Sequence, residues 1–123
     1  MSVLVDTSVW IRFLSGRAPY LSGLGELLAQ GDVSGHPFVF GELLIGDRGG
    51  RRQLLAGYEL MHQAPLVSHG EVVHFVRVRR LHGRGIGWVD IHLLASALVA
   101  GLTVWTADPR LESVARELGV AHV

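Results

Sequence analysis

Apolar positions along the chain fall into short β-rich runs alternating with longer blocks of helical spacing. Residues 2–5 (SVLV) form the first run, ending at Asp6, and residues 7–16 behind it read as a helix closed by Gly16. Residues 20–31 have helical spacing and a Gly stop, and 32–37 (DVSGHP) read as a turn or edge strand. Pro37 suits a first helical position, so residues 37–46 (PFVFGELLIG) should be a helix carrying Glu42. Another helix is expected at 51–63, then a short strand at 64–68. Residues 71–85 read as an amphipathic helix, with strand left open by their β-branched Val residues. Residues 87–101 (GWVDIHLLASALVAG) are apolar almost all the way round, the mark of an interior helix. A strand at 102–105 leads to a turn with Asp108 at an N-cap and Pro109 at N1, a helix at 110–119 and a last strand at 120–123. Strands alternating with helices predict one domain over 1–123, a three-layer α/β/α sandwich with a mostly parallel central sheet. Ligands of such sheets bind outside the carboxyl ends of the strands.

The interior helix carries one carboxylate, Asp90, near its start. An isolated ionised acid in an apolar interior is costly, so Asp90 needs either water or a partner. Asp6 and Asp108 occupy equivalent positions, each past a strand end and before a helix, and neighbouring strands would bring them into one crevice. Glu42 sits in a mostly apolar helix expected to face the core. Taken singly, Asp6 and Asp108 could be helix caps, Glu42 could lie on a wet stripe, and Asp90 could favour a helix N-terminus. Taken together, four acids sharing a divalent cation explain all of them at once.

Composition narrows the chemistry. Cysteine is absent, which excludes disulfides, thiolate metal sites and cysteine nucleophiles. Eleven basic and eleven acidic residues give a formal net charge of zero, so nucleic-acid binding would have to come from local clustering. No run approaches a membrane span and the N-terminus lacks a signal-peptide pattern, so a cytoplasmic protein is expected. Mg²⁺ or Mn²⁺ suits an all-oxygen cluster better than zinc, and such an ion points to phosphodiester hydrolysis. Aspartyl-phosphate chemistry would need a second acid two residues beyond Asp6, where Ser8 stands. GRGIG (83–87) imitates a dinucleotide fingerprint but follows a helix rather than a strand.

The segments MSVLVDTSVWIRFL, GELLIG, GRGIGWVDIHLLASAL and LTVWTADPRLESVARELGV resemble, in order and nearly end to end, the PIN-domain ribonucleases, above all the toxins of VapBC-type toxin and antitoxin pairs. The resemblance implies that Asp6, Glu42, Asp90 and Asp108 form the metal site of an Mg²⁺- or Mn²⁺-dependent endoribonuclease, with Thr106 and Ser8 supporting it through water. It also implies an RNA substrate, a homodimer and an antitoxin whose tail occupies the acidic crevice. Between Arg48 and Glu71 the match is only in helical character.

Arg77, Arg79, Arg80 and Arg84 precede the helix of Asp90, and Arg48, Arg51 and Arg52 follow that of Glu42; both groups could grip phosphates, or simply form solvated faces and surface ion pairs. Trp10, Trp88 and Trp105 neighbour the acids and could stack on bases, although core packing is the reading preferred here. His92 lies about 200° around the helix from Asp90, so a satisfied or exposed histidine is expected rather than a proton-transfer group. A housekeeping RNA-processing nuclease and a non-catalytic module with a vestigial site are the alternatives to a toxin.

Overall fold

A computed structural model describes residues 2–123. Strand β1 (Val3–Val5) leads to helices α1 (Thr7–Leu14) and α2 (Tyr20–Ala29). Strand β2 (Val33–Ser34) is followed by α3 (Pro37–Ile45), α4 (Arg52–Leu60), α5 (His69–Arg79) and α6 (Trp88–Ala100), and β3 (Thr103–Trp105) by α7 (Pro109–Glu117). The sheet runs β2-β1-β3, all parallel, with Val3 opposite Val33 and Val5 opposite Trp105. From β1 the chain moves one way to β2, then crosses back to β3 on the other side. Strand order therefore reverses at β1, and a crevice opens outside its carboxyl end, where Asp6 stands.

The expected sandwich is present, with helices packed around the parallel sheet, but the sheet is narrower than the sequence suggested. Residues 64–68 are not a strand: Pro65 has no N–H to give, its carbonyl accepts from Ser96 Oγ at 2.6 Å, and Ser68 turns away to cap α5. Only a single bridge from Gln63 to Gly35 remains at that edge. Residues 120–123 likewise reduce to one bridge, at Ala121, since three-residue β3 offers that side only the N–H and C=O of Val104. Residues 71–85 are helical only in part. α5 starts at His69 behind its Ser68 cap and stops at Arg79, because Arg80 takes the left-handed conformation at φ 54°.

The core forms on the sheet and α6. Every residue from Ile91 to Ala97 is buried, as the uniformly apolar pattern demands, and Gly101 ends the helix at φ +68°, a conformation that spares only glycine. Fully burying Leu93 and Leu94 contributes roughly 2 kcal/mol each. Among the described residues no helix is long and apolar enough to cross a membrane.

One polar group in this core went unread in the sequence. His36 is fully buried at the N-terminus of α3, where its Nδ1 accepts from the Phe38 N–H at 3.0 Å. Ser96 gives its single proton to the Pro65 carbonyl, so its oxygen accepts from His36 Nε2 at 3.1 Å. Both ring nitrogens are thereby satisfied only in the neutral Nε2–H tautomer. Burial, with a lesser push from His92, lowers the His36 pKa from 6.5 to about 4. As pH falls below 6.5 the unfolded chain takes up a proton that the folded chain refuses until about pH 4. Stability is thus intact above that window and declines through it, by up to about 3 kcal/mol. Urea unfolding at pH 7 and pH 4.5 should show this loss, with a shallower pH dependence in His36→Asn; equal slopes in both proteins would contradict it.

Candidate metal-binding active site

Asp6 follows β1 in extended conformation, its N–H bonded to the Trp105 carbonyl at 2.9 Å, which carries the strand ladder right up to the acid. The side chain is 6 % exposed and has no cation beside it among the described residues. Instead Ser8 Oγ and Thr106 Oγ1 donate to its Oδ2 at 2.6 and 2.8 Å. These hydroxyls also tie down the opposite wall: Ser8 Oγ accepts from the Ala107 N–H at 3.0 Å and Thr106 Oγ1 from the Asp108 N–H at 3.0 Å. Parallel pairing of β1 with β3 is what makes this possible, because Val5 opposite Trp105 sets Asp6 opposite Thr106.

The other three acids are held in the same manner. Asp108 caps α7, its Oδ1 accepting from the Arg110 N–H at 2.8 Å. Asp90 reaches back along α6, its Oδ2 accepting from the Gly87 N–H at 2.9 Å. Glu42 Oε1 accepts from Thr7 Oγ1 at 2.6 Å. In each carboxylate one oxygen is fixed to the scaffold and the other has no hydrogen-bond partner among the described residues.

Asp90 feels the charges of the other three acids. The Asp90 pKa is raised, first by burial and then by the charges of Asp6, Asp108 and Glu42, against the opposing hydrogen bond from Gly87. Each of the other three acids therefore disfavours ionised Asp90, after burial has done so first. Among the described residues no three His, Asp or Glu side chains stand close enough to grip one ion together. Among the described residues Arg110 is the one cation paired with any of the four, its Nε 3.7 Å from Asp108 Oδ1.

Several expectations change. Glu42 does not face the core: α3 buries only Val39 and Leu43, and its apolar character continues onto an exposed side, so Glu42 is a solvent-facing acid at the rim. Ser8 and Thr106 bond Asp6 directly. Trp88 is 43 % exposed, so the core reading holds for Trp10 and not for it. His92 is neither satisfied nor exposed. It is buried with Nδ1 unpartnered, wedged between Phe38 and Trp88.

The basic clusters divide. Arg77, Arg79 and Arg80 are exposed and form no ion pair among the described residues, whereas Arg84 is taken by Glu117 at 2.6 Å. Arg51 donates to the Leu43 carbonyl at the end of α3, and Arg48 and Arg52 stay exposed. Sequence reasoning missed Thr7 and Arg110. The hydroxyl following Asp6 and the guanidinium two residues past Asp108 were the available signals.

Residues 3–117 match the PIN domain family. The chain is 44% identical over 120 residues, 97% of its own length and 94% of the relative's, to the protein named Ribonuclease VapC32 from Mycobacterium tuberculosis, in strain CDC 1551 / Oshkosh and equally in strain ATCC 25618 / H37Rv.

Proposed function

Since the chain belongs to the PIN-domain family, we propose that it is a divalent-metal-dependent endoribonuclease acting as the toxin of a VapBC-type pair. The observation carrying this reading is the shared design of the four carboxylates, each with one oxygen anchored and one left over. Anchored ligands of this kind keep their orientation while the site fills. A hard, oxygen-only set without three acids in joint reach fits Mg²⁺ or Mn²⁺, which keep several waters and take few carboxylates directly. Asp6, Asp90 and Asp108 would hold the ion partly through its waters, with Glu42 at the rim.

When bound, the ion supplies an activated water and neutralises charge on the phosphodiester. The chain's own contribution is positional. Ser8 and Thr106 lock Asp6 and thereby fix the distance between β1 and the 106–108 turn, while the Gly87 N–H keeps Asp90 at the mouth of its helix. Without the ion the crevice repels RNA, so binding and cutting both depend on it. Exposed Arg77, Arg79 and Arg80 are available to phosphates farther along the strand. Exposed Leu44, Ile45 and Leu60, the last two 87 % and 89 % accessible, support protein partners, read here as a second copy and an antitoxin. A cytoplasmic location goes with a cellular RNA substrate.

Purified chain mixed with total cellular RNA should cut it when Mn²⁺ or Mg²⁺ is present and stop in excess chelator, and Mn²⁺ should raise its Tm. Undiminished cutting in chelator would overturn the metal mechanism. Growth arrest on expressing the lone chain, relieved by the product of an adjacent small gene, distinguishes a toxin from a housekeeping nuclease.

A further inference from the structure

Arg110 is the second residue of α7. Its backbone N–H donates to Asp108 Oδ1, but its Nε stays 3.7 Å from that oxygen, beyond hydrogen-bonding distance, and its side chain is 67 % exposed. The guanidinium is therefore beside the acids without being consumed by them. Other arginines near the crevice are more tightly engaged: Arg12 with the Ser8 carbonyl at 3.0 Å, Arg51 with Leu43 and Arg84 with Glu117.

Its position is built rather than incidental. The Arg110 stem crosses Gly85, where a Cβ would lie 2.9 Å from Cδ and 3.2 Å from Nη1, and where φ is +77°. The positive φ reserves that position for glycine, while a Cβ there would make the flexible arginine stem shift aside. Two residues on, Gly87 holds Asp90, and one residue back, Arg84 fastens the loop to Glu117 at the far end of α7. The loop is thus pinned along α7, and Arg110 lies between the segment that carries Asp108 and the one that anchors Asp90.

We propose that Arg110 binds an RNA phosphate next to the scissile bond, a role that rests on the nuclease reading above. Four carboxylates make the crevice hostile to a polyanion, and a planar fork of donors at its edge meets a phosphate bidentately. Gly85 is then a positioning residue, acting only through the arginine it seats.

The test uses a short single-stranded RNA at saturating Mn²⁺, with cleavage kinetics across a salt series and binding by stopped-flow anisotropy before turnover. Arg110→Ala should raise KM and Kd about tenfold and flatten the log–log salt slope by about 0.7, the value of one single-strand phosphate contact. Arg110→Lys should restore the slope but not the whole affinity, because a point charge cannot make the paired contact. Gly85→Ala keeps the charge but strains the loop at φ +77° and pushes the arginine stem aside, and should weaken binding with Tm measured alongside. An Arg110→Ala slope equal to that of the parent, or a loss that only follows a lowered Tm, overturns the assignment. A parent chain that neither binds nor cuts RNA would instead bring down the nuclease reading, and Arg110's role with it.

Discussion

Asp6→Asn should lose RNA cleavage by on the order of 10³-fold, the equivalent of several kcal/mol of charge stabilisation at the reacting phosphate. The side chain keeps its shape, so packing around β1 is undisturbed. What goes is the negative charge, together with one acceptor set. Ser8 and Thr106 both donate to Oδ2 in the parent, and an amide can meet them only with its carbonyl oxygen toward the hydroxyls, leaving NH₂ where the free carboxylate oxygen had pointed. An amide NH₂, its lone pair delocalised into the carbonyl, cannot ligate a cation. Cleavage of an RNA oligomer at saturating Mn²⁺, with circular dichroism and Tm recorded for both proteins, checks the two halves of the claim. Full activity in a folded Asp6→Asn chain would remove Asp6 from the chemistry.

The helices were legible because their signals are local. Pro37 and Pro109 open α3 and α7, Gly101 closes α6, and the apolar surface of 91–97 could only be interior. Strands of two or three residues carry almost no period, so 64–68 and 120–123 read as strands from composition, while the proline and serine that divert the first act through partners far along the chain. The site divides in the same way. Asp6 and Asp108 were expected from their place past strand ends, and Thr106 from the family resemblance. The exposure of Glu42 was not, since α3 is apolar on both its buried and its wet sides. Thr7 meeting Glu42 across 35 residues and Arg110 crossing Gly85 are products of the packed chain, which adjacency to Asp6 and Asp108 signals only as nearness to the acids.

Asp90→Asn should abolish cleavage to a similar extent and, unusually for an active-site change, make the metal-free chain more stable. Asparagine still offers an oxygen to the Gly87 N–H, so the helix start survives. The charge that burial, Asp6, Asp108 and Glu42 all disfavour is gone. The sign follows from linkage. Because the folded pKa lies above the unfolded one, ionising Asp90 costs the native state more than the unfolded chain, so its penalty is absent at low pH and grows as pH rises through the shifted pKa. The relief should appear as a raised Tm. Scanning calorimetry in chelator at pH 7 should therefore place Asp90→Asn above the parent, with the gap closing toward pH 3.8 and below. In saturating Mn²⁺ the order should invert, since the parent gains a bound ion that the variant holds poorly. A variant less stable than the parent in chelator would mean that Asp90 is held by structure alone and that the carboxylates do not share a field.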